Sequence, residues 1–248
     1  MKISFSAKTV AVYSVNKKAG KSTVARELAG FSQISGKKTL LVDLTLGRSG
    51  LLNIMAIPGG PDLSDWVSQI ERRLKKTPWH QIVYGPEEVE KYTFTHVTGL
   101  DIITCRQVEI PDRMQEISGV ILNSLAGCKY DVIVFDLNSG VRDYIIKVLT
   151  SVETVLLITD TYRYDVAEVK MVMERLEEGG CGRENFKVVF NKKPSFFDDT
   201  PLQVAEEFNL PMAGSLPDYP KLDQNFQAKL DMINEYSLAM KELVKNIL

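Results

Sequence analysis

The sequence predicts an α/β protein built on a doubly wound, mostly parallel, seven-stranded sheet with helices on both faces. Three observations carry that expectation. Short β-branched and aromatic runs alternate with longer helical patterns along the chain. Each run is apolar on both faces, which suits a strand covered by helices and not a half-exposed antiparallel one. The 248 residues, 44% hydrophobic and 25% charged, are enough for a sizeable core and do not have the composition of a disordered chain.

The expected strands are residues 9–15, 39–43, 100–104, 131–136, 154–159, 187–191 and a short one at 210–216. The first is followed by the helical pattern VARELAGFSQISG. Residues 57–98, beginning IPGGPDLSDW, are richer in Pro, Gly and charge, and hold one helix with Trp66, Ile70 and Leu74 on a face. Residues 165–178 form another helix, with Val166, Val169, Met173 and Leu176 on one side and Gly179 as its stop. Leu230, Ile233, Met240, Leu243 and Ile247 give the C-terminal stretch a helical period. It reads as the last helix of the fold in preference to a membrane-targeting tail, because no basic amphipathic extension follows. With no repeat and no low-complexity linker, one domain is expected over 1–248.

Several functions are disfavoured by composition. Cys105, Cys128 and Cys181 lie far apart without a CxxC or Cys/His spacing, so neither a disulfide framework nor a zinc or iron-sulfur site is indicated. No apolar run approaches the roughly 18 residues of a membrane span, and the start lacks a signal-peptide layout, so a cytoplasmic protein is expected. A net charge of -2 gives no bulk reason for nucleic-acid binding. His80 and His96 have no metal-ligand spacing, and Arg142, Lys147 and Arg163 could form part of a binding surface, although scattered bases are usually a solvated face.

Chemistry concentrates in SVNKKAGKST, residues 14–23. A strand, a tight turn and a helix N-terminus point backbone N–H groups at an anion. Lys21 would reach the β- and γ-phosphates, Ser22 would bind Mg²⁺, and Gly20 would let the backbone come close. The pattern GxxxxGK[ST] fails at its first position, Val15, and AGKST can also be read as a plain helix start with Ser22 or Thr23 near the cap. Two further segments end strands with acids: Asp43 in KKTLLVDLTLG, and Asp136 in YDVIVFDLNSG, placed to hold Mg²⁺ through water.

Together with FNKKP (190–194) and GSLPDYPKLDQ (214–224), this order resembles the MinD/ParA family of P-loop ATPases. That family's loop reads KGGxGK[ST], its second strand ends in DxD, its Walker B strand reads yDxiixDxxxG, and xxxNk and GxxPxD turns follow. The resemblance implies an ATP-binding, Mg²⁺-dependent homodimer acting as a positioning or assembly factor with protein partners. It implies a phosphate contact by Lys17, Lys18, Ala19, Gly20, Lys21, Ser22 and Thr23. Asn191, Pro217 and Asp218 would border the adenine, and Ser22, Asp43 and Asp136 would hold the metal. Lys21 and Asp43 would be the catalytic residues.

Three positions depart from the family pattern. Asn16 stands at the signature lysine, which in the family reaches the partner's nucleotide, and Lys17 and Lys18 stand at two glycines. Lys17 or Lys18 could supply the missing charge, or the contact is lost. Lysines facing one another across a twofold axis repel, by about 4 kcal/mol per close pair at an effective dielectric near 20, so a dimer would depend strongly on bound ATP or would not form in the family manner. Thr45 replaces the second acid of DxD and cannot act as a base. A positioned base contributes about 10²- to 10⁴-fold, so hydrolysis is expected to be slow or absent. Asp62, Asp65 and Asp143 are the carboxylates that folding could bring to its place. These departures are similar to those of divergent TadZ/CpaE-like branches that localise pilus or secretion machinery, and neither DNA nor membrane binding is indicated.

Overall fold

The computed structural model describes residues 3–47, 50–55, 57–106, 109–160, 166–193, 201–219 and 234–248. Strand β1 (Lys8–Tyr13) leads into helix α1 (Lys21–Ile34), and β2 (Thr39–Leu44) into the short α2 (Gly50–Ile54). The connection that follows holds α3 (Leu63–Leu74), a 3-10 turn at Trp79–Gln81, α4 (Pro86–Glu90) and β3 (Phe94–Thr95). Then come β4 (Asp101–Ile103), α5 (Met114–Ala126), β5 (Val132–Leu137), α6 (Asp143–Leu149) and β6 (Thr154–Asp160). The chain continues through α7 (Val166–Glu178), β7 (Phe186–Lys193), α8 (Pro201–Phe208), β8 (Met212–Pro217) and α9 (Glu235–Ile247).

The sheet has eight strands in the order β3-β4-β2-β5-β1-β6-β7-β8, parallel except for the β3–β4 pair. The seven-strand expectation is therefore corrected by one. The added strand is two residues long, too short to show a period, and it pairs antiparallel at the sheet edge, where Phe94 lies opposite Ile102. Every residue of β2, β5 and β6 is buried, the pattern of strands covered on both faces. One face packs Phe135, Leu157 and Phe190 against α3, α5, α6, α7 and α8. The other packs Val10, Leu41 and Val134 against α1 and α9.

The connection is more structured than one helix. Asp62 caps α3 by accepting from the Ser64 and Asp65 N–H groups, and Asp65 returns the bond to Asp62 N. Trp66, Ile70 and Leu74 face inward as expected, and the Trp66 ring stacks on Tyr92 at 5.4 Å and meets Tyr84 edge-on at 5.7 Å. In the helix expected at 165–178, Val169, Met173 and Leu176 are buried, while Asp165 lies outside the described residues. Met240, Leu243 and Ile247 of α9 are buried in the core with Val189 and Leu216, so this helix is part of the fold; Leu230 and Ile233 lie outside the described residues. Among the described residues no helix is long and apolar enough to cross a membrane.

Candidate functional site

The loop between β1 and α1 sits at the carboxyl end of the central strand, where open parallel sheets place ligands. Gly20 caps α1 with φ 92°, a left-handed backbone that favours glycine. Lys18 has the same handedness at φ 67°, so a lysine occupies the left-handed conformation natural to glycine, at a cost of about 1–3 kcal/mol. The Lys21 ammonium donates to Ser14 Oγ (3.0 Å) and to Ser139 Oγ (2.8 Å), while both hydroxyls donate to the Asn16 carbonyl. That hydroxyl cradle fixes the ammonium at the mouth of the helix before any anion arrives.

Asn191, at the end of β7, donates its side-chain amide to the Ala19 carbonyl at 2.9 Å. A Cβ on Gly20 would run into that amide nitrogen. Gly20→Ala therefore faces both a steric clash and an unfavourable φ, and the double variant Gly20→Ala/Asn191→Ala relieves only the first. We expect the single variant to lose the compact loop and to melt lower by several degrees, with partial recovery in the double variant. Thermal denaturation of the three proteins reads this directly.

Beneath the loop, Asp43 and Asp136 are register partners on adjacent strands β2 and β5, both fully buried. Asp43 Oδ1 accepts from the Thr45 N–H (2.9 Å) and the Thr45 hydroxyl (2.5 Å), whereas Asp43 Oδ2 and both Asp136 oxygens close no well-aligned hydrogen bond, the Ser22 hydroxyl lying near Asp136 and the Leu51 and Cys105 N–H groups near Asp43 only at poorer geometry. Burial pushes the Asp136 carboxyl up, and the Asp43 charge adds to it; the Ser22 hydroxyl and the Lys21 ammonium pull the other way. Burial also raises Asp43, against the bonds from Thr45. Three buried, orphaned carboxylate oxygens side by side form a cation-seeking arrangement. With a serine hydroxyl at the helix start, the donors are hard oxygens of the kind Mg²⁺ takes.

A cleft of 680 Å³ opens over these groups. Lys17, Lys18, Gly20, Lys21, Ser22 and Thr23 line its middle. Thr45, Leu46, Asn138 and Arg142 line the end above β2 and β5, and Asn191, Lys192, Pro217, Asp218 and Tyr219 the end above β7 and β8.

No protein-family model and no curated protein sequence matches the chain. Solved structures do match over nearly its whole length. A ParA-family ATPase from Chlorobium tepidum superposes with a TM-score of 0.77 at 14% identity, over 97% of this chain and 99% of that one. The septum site-determining protein MinD from Pyrococcus horikoshii, complexed with Mg-ADP, gives 0.73 at 18% identity, over 97% and 96%. A plasmid partition protein from Borrelia burgdorferi bound to AMPPNP gives 0.64 at 15%, over 97% and 98%. The fold is that of the MinD/ParA P-loop ATPases.

Within this MinD/ParA fold most residues singled out by sequence gather at the cleft, with informative exceptions: Asp43 and Asp136 are fully buried beneath it and do not line it. Ala19 is buried and contributes its carbonyl to Asn191, not a surface to the cleft. Asn191 borders the cleft and gives one amide N–H to the loop backbone at Ala19. Asn16 borders a separate void of about 10 Å³ with Thr159, Asp160 and Val169, away from the cleft. Among the described residues none of the three carboxylates considered takes Thr45's place: Asp62 and Asp65 bond each other and Arg106, and Asp143 does not line the cleft. Ser139 and Leu46 belong to the cleft and were not picked from sequence, while Arg142 was named only as one of three scattered bases and Tyr219 only as a neighbour of Pro217 and Asp218. Ser139 carried a signal in lying three residues past Asp136 in the segment DLNSG.

Proposed function

We propose that the cleft binds ATP with Mg²⁺ and that the protein is a nucleotide-dependent dimer switch, a cytoplasmic positioning or assembly factor with little or no hydrolysis. The observation that carries this reading is the orphaned Asp43–Asp136 pair directly under a left-handed loop bearing Lys21 and Ser22. Ser22, Asp43 and Asp136 are the groups that would hold Mg²⁺, and the cation would neutralise the two carboxylates and the polyphosphate at once. Two proteins of similar fold support the reading, one complexed with Mg-ADP and one bound to AMPPNP. A third, from Aquifex aeolicus, is MinD in a MinC:MinD complex, which supports a protein partner here.

The chain's own residues set the expected chemistry. Lys21 binds phosphate, the α1 N-terminus adds backbone N–H groups, and Pro217 and Tyr219 bound the base end. Thr45 orients Asp43 through its hydroxyl and offers no base for water. Lys17 and Lys18, both exposed at the cleft mouth, bring two charges per subunit to any face-to-face dimer and make it dependent on the bound triphosphate. Localisation of pilus, secretion or other polar machinery fits a slow switch of this kind.

The test is binding of a fluorescent ATP analogue with and without Mg²⁺, together with mass in solution and phosphate release. Mg²⁺-dependent binding, a nucleotide-dependent dimer and negligible release are expected. No binding at millimolar ATP would instead make the protein a nucleotide-free scaffold, and turnover typical of active ATPases would refute the assignment of Thr45.

A further inference from the structure

Asn16 cannot deliver a charge to the cleft, yet the cleft is strongly cationic, and one of its cations sits where the polyphosphate must end. The sheet order gives the cleft a polarity. Its β7–β8 end is bounded by Pro217 and Tyr219, a proline and an aromatic ring suited to a flat base. The loop over β1 holds the middle, and β5 and β2 lie on the far side, above Asp136 and Asp43. A nucleoside triphosphate with its base over β7–β8 and its β-phosphate at Lys21 therefore runs its terminal phosphate toward the β5 end. Arg142 lines the cleft at that end.

The turn that carries Arg142 is held from three sides. Tyr13 donates its hydroxyl to the Gly140 carbonyl (3.2 Å), Asn138 donates to the Leu46 carbonyl (2.8 Å), and Ser139 accepts from Lys21 (2.8 Å). Gly140 allows the turn with φ 94°. Arg142 then takes extended backbone as the N-cap of α6. Among the described residues its guanidinium has no ion-pair partner, although Asp143 follows it in sequence. A planar, always-charged fork on a braced turn, unpaired and facing the end of an anion cleft, is arranged for a terminal phosphate.

We infer that Arg142 is the residue that distinguishes a nucleoside triphosphate from a diphosphate in this cleft, by contacting the γ-phosphate from within the same chain. This rests on the nucleotide-site reading above. It makes Arg142 a specificity residue whose contribution is zero for ADP and appears only with the third phosphate.

The experiment compares Mg·ADP and Mg·AMPPNP binding by calorimetry for the wild type, Arg142→Ala and Arg142→Lys. A charge-assisted contact predicts AMPPNP binding weakened by about 10- to 100-fold in Arg142→Ala. ADP binding should stay within about twofold of wild type, and Arg142→Lys should recover part of the loss. Equal weakening for both nucleotides would mean a structural or general electrostatic role and overturn the inference. Unchanged binding of both would overturn it while leaving the nucleotide site standing. A wild type that binds neither nucleotide removes the site and the inference together.

Discussion

Asp136→Asn is expected to raise the melting temperature of the nucleotide-free protein at pH 8 by at least about 3 °C and to leave it nearly unchanged at pH 4. Asp136 is raised from the ordinary 3.8 to about 8, first by burial and then by the Asp43 charge. Between those values the native state holds a proton that the unfolded chain has released, so stability falls as pH rises through that window. The stabilising neutral form is fully present below the unfolded value and is lost as pH climbs through the folded one. Every pH unit separating the folded from the unfolded value corresponds to about 1.4 kcal/mol, and a change of 1 kcal/mol moves the midpoint of a chain this size by roughly 2–4 °C. Asparagine removes the Asp136 charge and with it that residue's share of the slope, while Asp43, raised to about 6 chiefly by burial, keeps a smaller slope of the same sign. His96, whose pKa burial lowers, contributes with the opposite sign, but equally in both proteins, so it cancels in the difference. Calorimetric scans across pH, with and without Mg·AMPPNP, check this. The nucleotide complex should flatten the wild-type profile and leave the variant's almost unmoved. A wild-type curve parallel to that of the variant would show that the two carboxylates are not strained and would remove the cation site.

The parts of the fold that were legible in sequence are those whose burial is complete. A strand such as Val132–Leu137 is buried at every position and apolar at all but one because helices cover both of its faces, and Asp136 stands out there as the one residue that burial alone would not select. The helix at Leu63–Leu74 shows its buried side in Trp66, Ile70 and Leu74 because one face alone is wet. Phe94–Thr95 and Pro86–Glu90 were not legible, because two strand residues and five helical ones are too few for any period to emerge. In the site, spacing located Lys21, Ser22, Asp43 and Asp136, since each is tied to the end of a strand or the start of a helix. What spacing does not encode is the direction of a side chain from a turn. Arg142 looked like one scattered base among several, and its place in the cleft follows from the three bonds that brace residues 138–140. Thr45 likewise looked only like a missing acid, whereas its hydroxyl holds Asp43 at 2.5 Å.

Lys21→Ala should weaken Mg·AMPPNP binding at least about 100-fold, while Asn16→Ala should change it less than about twofold. The contrast follows from which atoms of the loop face the cleft. Lys21 brings an ammonium already held between two hydroxyls, 3.0 and 2.8 Å away, so little freedom is lost when phosphate oxygens replace or join them. Two charge-assisted hydrogen bonds at about 1.5–3 kcal/mol each, with tenfold in affinity per 1.4 kcal/mol, give the hundredfold estimate. Asn16 serves the site through its backbone carbonyl, which accepts from Ser14 and Ser139, and alanine keeps that carbonyl. The residue borders the void beside Asp160 and does not line the cleft. Calorimetric titration of both variants, with a melting curve for each to confirm folding, separates the two halves of the loop. Comparable losses would mean that the first half still touches nucleotide, and the void beside Asp160 would then have to open on binding. A loss confined to Lys21→Ala would mean that, within the loop, AGKST alone holds the phosphates, with any contact between subunits left to Lys17 and Lys18.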